Sequence, residues 1–315
     1  MHEDDRCIIQ PPGGPTIRPA SRGHAMGMSD SGGMESMETE RASRAVVTVI
    51  LAVRNGGTQL RRAMDSVLQQ SRSDLCLLVV DDASDDTTAS ILREYAETDG
   101  RVRVLRNQCT MGLTRSLNRA VAEVRTDWVA RIDHDDTWCR EKLERQLAFA
   151  DRSPHVGLLG TAYREVESTG GRSREPVVPL LTTDEAIRGA LYQFNPLFHS
   201  SILVRSDLLR QVGGYNEGFR YAQDYELWTR IATLTRMAIL PDVLCYRGID
   251  RGNISIRKER SQRLNGLRAK WAWARTNGFR TALIKPVVRD VVIMLAPMAV
   301  KKVMRNRMQR KWEAS

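Results

Sequence analysis

A chain of 315 residues that is 42% hydrophobic allows one large α/β domain with a substantial core. Its five cysteines (Cys7, Cys76, Cys109, Cys139 and Cys245) are odd in number, scattered and without a C-x-x-C pair, which favours a reducing cytoplasm over a disulfide framework and gives no zinc site. The net charge of +10 is regional: sixteen Lys and Arg face two acidic residues between Arg257 and Lys311, so the remainder is slightly acidic.

Residues 1–44 are rich in Gly, Pro, Ser and Met and lack an apolar h-region, so they read as a disordered extension and not as a signal peptide. Met26, Met28, Met34 and Met37 are candidate alternative starts. A first strand is predicted from about Ala45 to Val53, then the loop Arg54-Asn55-Gly56-Gly57 and a helix with Leu60, Met64, Val67 and Leu68 on one face. Leu75 to Val80 is a short continuous apolar run, as expected of a strand buried on both faces. It ends in Asp81-Asp82-Ala83-Ser84-Asp85-Asp86 and is followed by a helical pattern with Ile91, Leu92 and Tyr95. Helix capping accounts for Ser84, Asp85 and Asp86. It does not account for Asp81 and Asp82, which sit at a strand's carboxyl end, where open α/β sheets bind ligands.

A third strand is predicted at Val102 to Leu105, then a helix with Leu113, Leu117, Val121 and Val124. The apolar run Trp128 to Ile132 then ends in Asp133-His134-Asp135-Asp136, with the next helix expected to begin near Trp138. This alternation predicts an α/β fold, a mostly parallel sheet covered by helices on both faces. Three carboxylates in four residues repel one another. A hard divalent cation shared with a phosphate offsets them, and the plain alternative is a solvated acidic loop. No G-x-G-x-x-G follows the first strand and no G-x-x-x-x-G-K-[ST] occurs, which argues against dinucleotide oxidoreductases and P-loop enzymes. A carboxylate holds a phosphate only through a cation, which favours the metal reading.

Four segments resemble glycosyltransferase family 2 in order and spacing: Val47 to Gly56, Val79 to Ser84, Asp133 to Asp136, and Gln223-Asp224-Tyr225-Glu226-Leu227-Trp228. The resemblance covers about residues 45 to 255. It implies a GT-A fold and inverting transfer of a sugar from a nucleotide-sugar donor. It divides the chain into a catalytic domain at 45–256, with a nucleotide-binding half (45–136) and an acceptor half (137–256), followed by a basic helical extension at 257–315. By this resemblance Val53 and Asn55 are donor-loop positions, and Asp81 or Asp82 faces the base and ribose. Asp133 and Asp135 match the D-x-D motif, Asp135 as the metal ligand and Asp133 nearer the ribose, with Mn²⁺ or Mg²⁺ as the cation. Asp224 matches the general base, which takes the proton of the attacking hydroxyl; its plain alternative is a helix N-cap.

His199, in Asn195-Pro196-Leu197-Phe198-His199-Ser200-Ser201, is a contact to donor diphosphate or acceptor, or else a hydrogen-bonded structural histidine. Tyr246 to Ser255 resembles a stretch that closes over the donor, with Arg251 suited to phosphate, or is simply a basic loop. Gly213-Gly214-Tyr215 reads as a turn without chemistry. Ala52 and Arg54 depart from the family's usual proline and aromatic residue, and Arg54 is either a phosphate contact or a surface arginine. Gln223 replaces a glutamate, leaving Asp224 with one fewer acidic neighbour, so it is expected to ionise.

In the C-terminal part Val287, Val291, Met294, Leu295 and Met298 share one helical face, and the uncharged run Val291 to Val300 is too short to span a bilayer. Lys301, Lys302, Arg305, Arg307, Arg310 and Lys311 follow it. This pattern suits a helix lying on an anionic membrane, with Trp271 and Trp273 at the interface or in the core. The alternative is a helix docked on the catalytic domain. Family analogy adds a glycan or lipid-linked acceptor in cell-surface polysaccharide assembly at the inner face of the cell membrane. A nucleic-acid-binding protein would use the basic tail but leave the carboxylate clusters without purpose. A nucleotidyltransferase would use metal-bound aspartates but release pyrophosphate.

Overall fold

β1 (Val47–Val53) is buried along its whole length and β2 (Leu75–Asp81) nearly so, because helices cover this part of the sheet on both faces. α1 (Gln59–Leu68), α2 (Thr88–Thr98), β3 (Val102–Arg106), α3 (Leu113–Glu123) and β4 (Trp128–Arg131) follow in the expected alternation. The period-2 alternation of β1 divides its side chains between two cores. Val47, Val49, Leu51 and Val53 pack with Leu60, Met64 and Val67 of α1; Ile50 and Ala52 pack with Leu117 and Ala120 of α3. The computed structural model of the chain describes residues 45–167, 181–249 and 255–295.

After Asp136 the chain departs from expectation. No helix starts near Trp138; Thr137–Trp138 forms a two-residue strand, β5, and α4 (Lys142–Arg152) starts only afterwards. The cause is the indole, whose Nε1 donates to the buried carbonyl of Ser200 (2.7 Å) and holds Trp138 under the site. The remaining elements are β6 (Val156–Glu167), α5 (Asp184–Ala190), a 3₁₀ turn (His199–Ser201), β7 (Leu203–Arg205), α6 (Ser206–Gln211), α7 (Gln223–Ile231) and β8 (Arg236–Ile249).

The sheet order is β3-β2-β1-β4-β7-β6-β8-β5. β3, β2, β1 and β4 are mutually parallel, as are β6 and β8. β7 runs antiparallel to both β4 and β6, and β5 runs antiparallel to β8, so the sheet is mostly parallel as expected, with these two strands reversed. The antiparallel β7 positions the site. Its amino end lies at the same edge as the carboxyl ends of β2 and β4, which sets the turn His199–Ser201 beside Asp133 to Asp136.

Two helices close the described chain. α8 (Ser255–Asn277) packs on α7, and Arg268 donates to the carbonyl of Gly218 (3.2 Å). Trp273 is buried against Tyr192, whereas Trp271 is 56% exposed and stacks edge-on with the equally open Phe279 at 5.0 Å. α9 (Ile284–Leu295) is docked on the domain through Pro286, Val287 and Asp290. The buried Asp290 carboxylate gathers Lys270, Arg263 (3.0 Å) and Arg289 (3.4 Å). Ile284, Val288, Val291, Val292 and Leu295 point outward and are exposed. The expected apolar face is thus rotated, with Val287 turned inward. Met298, the basic run 301–311 and residues 1–44 lie outside the described residues.

Candidate active site

A cleft of about 1540 Å³ opens at the edge where β2, β4 and β7 meet, lined among others by Arg54, Asp82, Asp133, Phe194, His199 and Asp224. It exceeds the few hundred to about 1,000 Å³ common for a single small ligand. Backbone strain gathers around it. Asn55, Ala83 and Ala222, the non-glycine residues with left-handed backbone among those described, stand where β1, β2 and α7 meet the cleft. Such conformations cost roughly 1 kcal/mol or more and cluster at functional sites.

The acidic motif turns tightly, with the Asp136 amide donating to the Asp133 carbonyl (3.3 Å). One carboxylate oxygen from each of Asp133, Asp135 and Asp136 lies within 4.8 Å of the others. Their surroundings differ. Both oxygens of Asp133 are held by the guanidinium of Arg131, itself buried at the end of β4. Asp136, buried, accepts from the Ser200 hydroxyl and from the Gly248 amide (3.0 Å). The Asp135 carboxylate receives no side-chain donor among the described residues. Burial first, and then the charge of Asp133, push the Asp135 carboxyl above its ordinary range. The same two causes, with Asp135 added, push Asp136 well above it. This frustrated set of hard oxygen donors fits a divalent cation that completes its shell with phosphate oxygens or water. Asp136 joins the two residues read from the D-x-D pattern.

In the motif after β2, Asp82 lines the cleft and Asp81 lies buried at the strand end. Asp82 accepts from Asn107 Nδ2 (2.7 Å) and the amides of Met111 (2.7 Å) and Gly112 (2.8 Å), so its carboxylate is occupied in shaping a rim of the cleft. Asp81 caps its own turn by accepting from the Ser84 amide (2.9 Å). Its second oxygen is buried without a hydrogen bond, 3.5 Å from Arg106 Nε. Of the pair, Asp81 retains unspent acceptor capacity. Val53 belongs to the core beneath the loop. Asn55 is tied to the neighbouring turn: its Nδ2 donates to Asp85 (2.7 Å) and its Oδ1 accepts from the Asp85 amide (3.1 Å). Its side chain therefore braces two loops and does not line the cleft.

Asp224 is the second residue of α7. The cap position is Ala222, so the N-cap alternative does not hold. The carboxylate lines the cleft and accepts from Asn195 Nδ2 (2.7 Å). Burial raises its pKa, while the Tyr225 amide, Arg131 and Asn195 pull the other way. Glu226 is turned aside, paired with Arg230 at 2.8 Å. His199 is buried; its Nε2 meets the Tyr215 hydroxyl (2.9 Å) and its ring stands edge-on to Trp228 at 5.9 Å. Burial and the charge of Arg131 push its pKa well down, which favours the neutral ring, and it stands in the wall of the cleft. Tyr215 thus has a partner that reading its segment as a bare turn missed. Arg247 pairs with Glu165 (3.2 Å) and lies over Phe198. Arg251 lies outside the described residues.

The sequence profile of glycosyl transferase family 2 matches residues 48–213. Among curated relatives, the amylovoran biosynthesis glycosyltransferase AmsE of Erwinia amylovora is 30% identical over 191 residues, covering 59% of this chain and 68% of that one. The chain spans just under two thirds of the length of two further relatives it matches, 66% of one and 64% of the other. Staphylococcus aureus TarS 1-349, crystallised with UDP-GlcNAc, superimposes with a TM-score of 0.63 at 19% identity, over 76% of this chain and 71% of that one. The mannosyltransferase PcManGT of Pyrobaculum calidifontis, in complex with GDP-Man and Mn²⁺, gives 0.57 at 21%, over 84% and 78%. The GT-A fold expected from the sequence is the fold shared with these structures.

Proposed function

The chain belongs to glycosyl transferase family 2, and from that membership and the cleft's geometry we propose that it moves a sugar, with inversion, from a nucleoside-diphosphate sugar to an acceptor hydroxyl in cell-surface polysaccharide or glycolipid assembly. The observation that carries this reading is one cleft with a carboxylate cluster at the end of β4 and a half-buried carboxylate at the start of α7. Asp133, Asp135 and Asp136 would hold Mn²⁺ or Mg²⁺, which supplies charge neutralisation for a departing diphosphate. The Mn²⁺ in the PcManGT complex and the biosynthetic role in AmsE's name support the same reading. Asp224, held by Asn195, takes the proton of the attacking hydroxyl. Asp81, with a spare buried acceptor, or Asp82, which lines the cleft, would face donor base or ribose, and Arg54 on the rim suits phosphate.

A thermal-shift screen of UDP-, GDP-, dTDP- and CMP-sugars, with and without Mn²⁺ or Mg²⁺, tests the proposal. A ligand at 100 times its Kd stabilises the native state by about 2.7 kcal/mol. A metal-dependent rise in Tm with one nucleotide family is expected; no rise with any of them overturns the donor assignment.

The finer part of the proposal is location. We place the enzyme at the cytoplasmic face of a membrane, bound peripherally to anionic lipid, near a lipid-linked acceptor. No described helix is long and apolar enough to cross a bilayer. The outward row Ile284, Val288, Val291, Val292 and Leu295, the open Trp271–Phe279 pair and the basic composition of 257–311 support binding on the surface. Val288→Glu with Val292→Glu is expected to reduce cosedimentation with vesicles containing anionic lipid at least tenfold, leaving the melting temperature within a degree or two. Equal binding by both proteins rules out the outward row as the contact, and no binding by the parent rules the membrane contact out.

A further inference from the structure

Arg131 is the unusual member of the acidic site. It is 1% exposed, and both arms of its fork lie on Asp133, with Nη1 also 3.3 Å from Ser200 Oγ. Its Nε is buried without a hydrogen bond. A guanidinium held this way is fixed in position and cannot lose its charge. Being buried, its field is weakly screened by salt.

This changes the charge of the candidate metal site. Three ionised carboxylates alone would present −3 to a cation; with Arg131 among them the site presents −2. One carboxylate also has both oxygens engaged by a guanidinium, so a cation approaching Asp133 meets a fixed positive charge on its far side. A divalent cation entering alone leaves a neutral site containing two cationic centres. A nucleoside diphosphate arriving with it supplies the missing anionic oxygens.

Resting on the donor and metal reading above, we propose that Arg131 is a positioning residue whose fork on Asp133 keeps the acidic cluster a weak cation site until the donor's diphosphate is present, so that cation and donor bind together. Ser200 extends the same arrangement. Its hydroxyl donates to Asp136, and it also accepts from the Asp133 amide (3.0 Å), which locks the cluster to the turn carrying His199. The coupling is reciprocal: whatever factor nucleotide adds to cation affinity, cation adds to nucleotide affinity.

Mn²⁺ titration followed by the electron paramagnetic resonance of free Mn²⁺, alone and with saturating UDP or GDP, reads this without any turnover. In the parent protein nucleotide is expected to tighten Mn²⁺ binding by about tenfold or more, within the range usual for coupled sites. Arg131→Met is expected to tighten binding of Mn²⁺ alone by about tenfold and to shrink the nucleotide effect correspondingly. Arg131→Lys avoids leaving Asp133 without a cation and guards against misfolding; its point charge cannot occupy both Asp133 oxygens, so a smaller shift in the same direction is expected. A folded Arg131→Lys or Arg131→Met protein with unchanged Mn²⁺ affinity and unchanged coupling overturns the role of Arg131. A parent protein that takes up no Mn²⁺ even with nucleotide overturns the metal reading beneath it.

Discussion

Asp224→Asn is expected to lower kcat by about 10²- to 10⁴-fold while leaving affinity for the nucleotide donor within a factor of two, because an amide cannot take the acceptor's proton. The substitution is nearly isosteric, and the hydrogen bond from Asn195 Nδ2 can be kept by the new side-chain oxygen. Two further measurements distinguish a base from a structural aspartate. Burial holds the Asp224 pKa above the ordinary value of 3.8, so the parent enzyme should lose rate on acidification at a higher pH than an exposed aspartate would impose. That acid limb should be absent from the residual rate of the variant. Stability moves the opposite way. The native carboxyl binds its proton more tightly than the unfolded one, so stability rises as pH falls from the raised native pKa towards the unfolded value. Above the native pKa the buried charge opposes folding. Near pH 7 Asp224→Asn should therefore melt at the same temperature as the parent or higher, a common trade between stability and activity. Near-normal turnover would remove Asp224 from the mechanism.

How much of this could be read beforehand depended on how locally each feature is encoded. The parallel strands β1 to β4 and their helices are legible because apolar runs and helical spacing are properties of neighbouring residues. β7 is only three residues long, and its antiparallel direction follows from where the turn His199–Ser201 must lie, which no local pattern reveals. The acidic motif was visible, but the different environments of its members were not. Ser200 reaches Asp136 across 64 positions, and it takes folding to bring them together. Arg131 sits within the run Trp128 to Ile132, where no local pattern gives it a role, yet it is fully buried on Asp133. Motif residues can also be used for construction. Asn55 and Asp82 match the family pattern, and both are engaged in fastening loops at the edge of the cleft. The amphipathic character of α9 was clear from its spacing, but the face it buries was set by Asp290, whose three cationic partners come mostly from the preceding helix.

Asp135→Ala is expected to abolish the metal-dependent part of donor binding and to lower transfer by about 10²- to 10³-fold, the scale of several kcal/mol of charge stabilisation at a departing diphosphate. Asp135 is the critical member because its neighbours are committed, Asp133 to Arg131 and Asp136 to Ser200 and Gly248. It alone among the three has a carboxylate with no side-chain donor among the described residues. Removing it takes the site from −2 to −1 with Arg131 counted, which leaves little to attract a divalent cation. Calorimetric titration of UDP and GDP with and without Mn²⁺ measures this directly. The parent protein should lose affinity when the cation is chelated and regain it on replenishment, whereas the variant should respond to neither treatment. Misfolding is not expected to mimic the result. Burial and Asp133 already push the Asp135 carboxyl upward in the absence of a cation, so its charge opposes the cation-free fold. The variant should accordingly melt no lower than the parent in chelator and lose only the stabilisation that cation and nucleotide confer together. Cation-dependent nucleotide affinity that survives in Asp135→Ala would move the metal to Asp133 and Asp136 and require Arg131 to release Asp133 on binding.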